Sequence, residues 1–156
     1  MNHNCNGNDK KTAYICGPLT ELPDCQQSSV KNFYSLIADM YKLVTGKRAF
    51  VPHEHYDPIR HANFSPTQVD AAERRQVCEL TTILVVVAIA PSWGGGIEVE
   101  MAQRSNVPVV IMRPKNKVIS RLLRGNPAVV NVIDYDHEAD ALDLIRKKFS
   151  CLLPTV

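Results

Sequence analysis

The chain has 156 residues, 45% of them hydrophobic and 22% charged, with a formal net charge of +2. Those values suit a globular domain with a core of its own and exclude a disordered or fibrous chain. The positive charge is small and scattered, densest at Lys10-Lys11, Arg74-Arg75 and Lys147-Lys148, which argues against a nucleic-acid polymer as partner.

The chain begins MNHNCNGNDKK, polar and turn-forming, so a disordered start is expected over residues 1–11. No apolar signal region follows, and no run reaches the roughly 18 apolar residues that span a bilayer. The five cysteines, Cys5, Cys16, Cys25, Cys78 and Cys151, have neither CxxC nor metal-type spacing. Reduced thiols in a soluble, cytoplasmic protein are the expectation, each serving as a small apolar residue.

TAYIC, Thr12 to Cys16, reads as a short buried strand stopped by Gly17-Pro18. Val30, Phe33, Ile37, Met40, Tyr41 and Val44 recur at helical spacing and predict a helix from Ser29 to about Thr45, ended by Gly46. RAFVP predicts a second strand, followed by a polar, histidine-rich loop. Ser65, Pro66 and Gln68 supply the N-cap, first-turn proline and capping-box glutamine of a helix through SPTQVDAAERRQVCEL. ILVVVAIA, apolar on both faces, predicts a central parallel strand. A helix from about Gly95 to Arg104, a strand VPVVIM, a short helix around VISRLLR, a strand VVNVID and a helix from about Glu138 to Phe149 follow, with residues 151–156 as a tail.

Five strands alternating with helices over residues 12–150 imply one α/β domain whose parallel sheet is covered on both faces. Such sheets bind ligands beyond the carboxyl ends of their strands, where the strand order reverses. The loops that matter are then residues 17–27, 52–63, 90–95 and 113–117.

The most unusual of these introduces APSWGGGIEVEMAQ. Gly94, Gly95 and Gly96 let a ligand approach the backbone and leave helix N–H groups to face an anion. Their spacing is neither GxGxxG nor GxxxxGK[ST], so they form no dinucleotide or P-loop fingerprint. Glu98 falls in the first turn of the predicted helix, where the helix dipole favours an ionised carboxylate, suited to a nucleophile or simply to helix stabilisation. Glu100 lies about 200° further round and reads as a surface charge. A second carboxylate is available from Asp70 or Glu73, which share one face of the helix leading into the central strand. Either suits proton relay or plain helix stabilisation. His53, His55, Tyr56, Asp57 and His61 crowd the loop VPHEHYDPIRH, which lacks the HExxH helix or cysteine partner of a metal site. Base stacking or hydrogen bonding by His53, His55 or Tyr56, and an ordinary polar loop, both stay open. Neither metal nor cofactor is expected.

AYICGP at the first strand, PSWGGGIEVEMA after the third and RPKNKVISRLLRG after the fourth together resemble the nucleoside 2-deoxyribosyltransferase superfamily. Within it they are most similar to the 2'-deoxynucleoside 5'-phosphate N-hydrolases, over about Ala13 to Phe149. The resemblance implies a flavodoxin-like (Rossmann-like) three-layer sandwich with a five-stranded parallel sheet, and a homodimer whose active sites are completed across the interface. It implies Glu98 as the nucleophile on C1' of the sugar, Tyr14 as its holder, and Glu73, with Asp70 in reserve, as the general acid. Six residues before the nucleophile the resembling transferases carry an aspartate. This chain has Ser92, neutral and able to hydrogen-bond a 5'-phosphate, and Ser120 matches the serine that the hydrolases lend across the dimer. After Gly17 the chain reads Pro18, Leu19, Thr20 and Glu21 where those hydrolases carry a serine and an arginine, which implies either a reduced phosphate affinity or its supply by Arg121 or Arg124. The expected activity is hydrolysis of (2'-deoxy)nucleoside 5'-monophosphates to base and sugar phosphate, the sugar admitted beside Gly17, Gly94 and Gly96. Base exchange between deoxynucleosides and a non-catalytic nucleotide-binding or signalling module are the alternatives.

Overall fold

Parallel pairing of buried β-branched runs organises the protein. A computed structural model describes residues 10–57 and 59–152. Its elements are β1 (Thr12–Cys16), α1 (Asp24–Thr45), α2 (Pro52–Tyr56), α3 (Pro66–Leu80), β2 (Thr81–Val87), α4 (Trp93–Arg104), β3 (Val109–Pro114), α5 (Arg121–Arg124), β4 (Val129–Tyr135) and α6 (Glu138–Leu152). The expected disorder at the start of the chain concerns mainly residues 1–9, outside those described. At the other end, Cys151 and Leu152 continue α6 rather than starting a tail.

The sheet is parallel, in the order β1-β2-β3-β4, with four strands instead of the five expected. RAFVP contributes only a bridge: the Phe50 N–H donates to the Ala13 carbonyl at 2.8 Å, and the Phe50 carbonyl accepts from the Ile15 N–H at 2.9 Å. The next donor in such a ladder would be residue 52, a proline with no N–H to give. Pro52 instead opens α2, where a missing N–H costs nothing, so the histidine loop is partly helical. The chain thus crosses from one side of β1, at Phe50, to the other, at β2. The order therefore reverses beside the carboxyl ends of β1 and β2, where ligands of such sheets bind.

Two apolar layers sandwich the sheet. Ala13, Ile15, Val85 and Val87 face α1 and α6 on one side, while Tyr14, Cys16, Leu84 and Val86 face α3 and α4 on the other. The strand period of two makes this division. α3 begins as expected, with the Ser65 side chain accepting from the Gln68 N–H and the Gln68 side chain accepting from the Ser65 N–H. α1 starts earlier than its apolar period suggests, at Asp24, and ends on Gly46 in the left-handed conformation.

Gly17 closes the first strand under close packing. A Cβ there would lie 2.7 Å from Tyr34 Cζ and 2.9 Å from the Val87 carbonyl oxygen. The Tyr34 ring cannot retreat freely, because its hydroxyl donates to the Pro18 carbonyl at 2.8 Å and so fixes the loop after β1. Gly17→Ala is expected to cost about 1–3 kcal/mol by overpacking, measured by urea denaturation, and to move the Gly17-Pro18 loop.

Candidate active site

The alternation along β1 places Tyr14 and Cys16 on the α3/α4 face, against which α4 lays Glu98. The Tyr14 hydroxyl donates to Glu98 Oε1 at 2.5 Å, the length of a charge-assisted O–H···O⁻ bond. Tyr14 is fully buried and Glu98 is 7% exposed. Phe50 stacks on the Tyr14 ring, centroids 5.5 Å apart and planes at 19°, and so limits its rotation.

Glu98 is not in the first turn of its helix, contrary to the sequence expectation. α4 begins at Trp93 because Ser92 caps it, accepting from the Gly95 N–H at 3.1 Å, so all three glycines are helical and Glu98 is the sixth residue. The helix dipole fades within one turn and does not act strongly there. Burial pushes the Glu98 carboxyl up, while donation from the Tyr14 hydroxyl and the adjacent Cys16 thiol pulls it back down. Those donors, rather than the dipole, favour its charge.

Glu73 has the opposite surroundings. It is half-buried on α3, and burial, the Glu98 charge and the Asp70 charge push its carboxyl up to about 7. With no donor favouring its anion, Glu73 holds the proton while Glu98 carries the charge, although the two titrate as a coupled pair. Asp70 is 55% exposed and tied to Arg74 at 2.9 Å, so the structure separates these two candidates.

Beside this pair, at the carboxyl ends of β1 and β2, lies a largely apolar cavity of about 760 Å³. Gly17, Ser92, Gly96 and Ser120 border it, together with Gly95 and Val99, which flank Glu98 along α4. Glu98 itself is not in its wall. The carboxylates sit behind the cavity, within the α3/α4 layer, and the volume describes room for a ligand rather than the reacting centre. A Cβ on Gly94 or Gly96 would meet nothing within 4 Å, so these glycines leave open space beside the helix start. Gly94 does not border the cavity. Glu100 does, yet it is exposed and paired with Arg104 at 2.9 Å, as a surface charge should be.

Ser92 and Ser120 border one cavity of a single chain. Each hydroxyl accepts from a helix N–H, Gly95 at 3.1 Å and Leu123 at 3.4 Å, which leaves its own proton free to donate. Arg121 and Arg124, the expected phosphate cations, do not border the cavity, whereas Lys117 does.

The histidines lie elsewhere. His55 is exposed and stacks on Phe50, centroids 4.4 Å apart, while half-buried His53 is 6.0 Å from Tyr34. Burial lowers the His53 pKa, and its buried Nδ1 has no hydrogen-bond partner. Neither ring borders the cavity. Asp57 belongs to the scaffold: it is buried, pairs with Lys31 and accepts the N–H groups of Ile59 and Arg60. Among the described residues no group of three His, Cys, Asp or Glu side chains could hold a metal ion, and Cys16, Cys25, Cys78 and Cys151 are free thiols. No helix among those residues is long and apolar enough to cross a membrane.

Sequence reasoning missed Cys16, Phe50 and Lys117. The spacing of Cys16 two residues after Tyr14 could have revealed it, since alternate strand residues share a face. Phe50 needed the pairing of RAFVP with β1.

Fold and site together define a Rossmann-like α/β protein with paired carboxylates beside the carboxyl end of β1. The chain superposes on a solved CMP N-glycosidase, BcmB, from Clostridium botulinum, with a TM-score of 0.61 and 15% identity, over 87% of this chain and 98% of that one. At that identity the likeness is one of fold. No family model and no curated protein matches the chain.

The raised Glu73 pKa has a consequence for stability. Between the unfolded carboxyl value and about 7 the folded protein holds a proton that the unfolded chain has released. Stability therefore falls as pH rises through that window, and Glu98, also raised, contributes with the same sign. Thermal melts from pH 5 to 8 are expected to show this decline, with a shallower slope in Glu73→Gln.

Proposed function

We propose that this protein is an N-glycosidase that hydrolyses (2'-deoxy)nucleoside 5'-monophosphates to free base and (deoxy)ribose 5-phosphate. The observation that carries this proposal is the buried Glu98 carboxylate, held by Tyr14, beside a second carboxyl whose pKa lies near neutrality. One charged and one protonated carboxyl is the arrangement by which retaining glycosidases work. The fold shared with a CMP N-glycosidase supports the reaction class. Ser92, neutral where an aspartate would repel phosphate, supports the monophosphate.

In this mechanism a Glu98 carboxylate oxygen attacks C1' as the C1'–N bond breaks. The base leaves with the bonding electrons and takes the Glu73 proton, which gives a glycosyl ester on Glu98. Water then attacks C1', Glu73 now accepts a proton from it, and the C1'–O bond to Glu98 breaks to restore the carboxylate. Tyr14 positions the nucleophile throughout, and Asp70 modulates Glu73 from the surface. Trp93, Ile97, Val118 and Leu122 expose large apolar side chains on α4 and around α5, which supports a homodimer formed through that side. Phe50, seated outside β1, supports the flavodoxin-like strand order.

Chromatographic assay of base release over ribo and deoxy nucleosides and their 5'-monophosphates tests the proposal. Release from monophosphates, abolished in Glu98→Gln, is the expected result. Base exchange that requires an added acceptor base would instead identify a transferase, and binding without turnover a signalling module.

The pH profile of kcat/KM, which covers the steps through base departure, is expected to fall above about pH 7 as Glu73 loses its proton. It falls again at low pH, where Glu98 gains one. Glu73→Gln should remove the alkaline limb and lower the rate by about 10²–10⁴-fold, the usual contribution of a general acid.

A further inference from the structure

The cavity has walls suited to a sugar phosphate but, behind it, the negative charge of Glu98 beside a protonated Glu73. A phosphate dianion placed there needs a cation. The loop after β1, from Gly17 to Glu21, holds none, and Lys31, the first lysine on α1, is bound to Asp57. Arg121 and Arg124 do not border the cavity, and Arg104, nearby on α4, is paired with Glu100.

The chain leaving β3 carries cations at every second position: Arg113, Lys115 and Lys117. Acids leaving β4 neutralise the first two, since Arg113 is bound by Asp134 and Lys115 by Asp136. The register ends there. Lys117 donates its backbone N–H to the Pro114 carbonyl at 2.9 Å, and this turn carries the chain away from β4. Its side chain borders the cavity together with Ser92 and Ser120, and its ammonium has no ion pair or side-chain hydrogen bond among the described residues.

We infer that Lys117 is the specificity-determining cation for the 5'-phosphate, acting with the free hydroxyl protons of Ser92 and Ser120. This rests on the glycosidase proposal and adds to it the source of phosphate charge that the first loop lacks. Two neutral hydroxyls bond a phosphate but do not balance its charge. An ammonium on a flexible stem does both, as a point charge that any phosphate orientation satisfies.

Titration calorimetry of the full-length protein with 2-deoxyribose 5-phosphate and ribose 5-phosphate tests this, alongside the release assay. Wild type should bind the phosphorylated sugars and not the free ones. Lys117→Ala should weaken that binding about tenfold or more, the scale of one hydrogen bond to a charged group, and flatten its salt dependence. It should raise KM for monophosphates with little change in kcat. Lys117→Arg should retain most of the affinity, and Lys117→Gln, which keeps the stem and loses the charge, should behave as Lys117→Ala. Unchanged sugar-phosphate affinity in Lys117→Ala and Lys117→Gln, with base release intact, would overturn the role of Lys117 and leave the glycosidase standing. Absence of base release from every substrate would overturn the glycosidase instead, and sugar-phosphate binding that still depended on Lys117 would keep the anion site.

Discussion

A carboxylate removed from water keeps its charge only where donors replace the water it lost. In this protein that requirement falls on the Tyr14 hydroxyl, which meets Glu98 inside the α3/α4 layer, with the Cys16 thiol adding a weaker interaction. Much of the surrounding architecture serves that contact. β1 must pair with β2 in a fixed register, since a one-residue slip would turn Tyr14 toward α1 and α6. Phe50 must bridge β1 to hold the tyrosine ring. α4 must keep its register behind the Ser92 cap, because a shift of one residue would rotate Glu98 by about 100° away from the tyrosine.

The same contact separates the two glutamates by function. Glu98 receives donors and Glu73 receives none, so one negative charge settles on Glu98 and its field keeps the proton on Glu73. Each buried carboxyl detracts from stability near neutral pH, a usual feature of sites whose chemistry needs groups held away from their ordinary pKa. The cavity completes the arrangement: apolar walls, glycines on the near end of α4 and serine-capped helix starts lie on the solvent side of the charged pair.

Where local rules governed, they were legible in the residues. The capping box at Ser65 and Gln68 is formed as written, and the glycine after Thr45 ends α1 in the conformation that glycine permits. The apolar run through Leu84 and Val87 is a central strand, and Glu100 is a surface charge paired with Arg104. Failures came where a single residue depended on a distant one. RAFVP has strand composition, but its ladder needed an N–H that Pro52 lacks. Reading the helix from about Gly95 puts Glu98 in its first turn, whereas the Ser92 cap starts it at Trp93 and packing against α3 outweighs the low propensity of the glycines. The histidine loop drew attention through its composition, yet His53 and His55 pack beside Tyr34 and Phe50 and do not border the cavity.

The sequence by itself determined the α/β alternation, the central strand, both limits of α3 and the ends of α1 and α4, with Glu73 and Glu98 as candidates, and its resemblance to a known family added Tyr14, Ser92 and Ser120. The elements follow from periodicity and capping, which act over a few residues, and Tyr14, Ser92 and Ser120 from what the resemblance implies. Only the tertiary structure decided the rest: that Tyr14 meets Glu98 across 84 positions of sequence, that Glu73 rather than Asp70 is shielded beside it, and that Lys117 alone of its alternating series lacks an acid among the described residues. Burial, hydrogen-bond donation and charge pairing depend on distances between remote segments. Those distances exist only once the sheet register and the helix packing have been set.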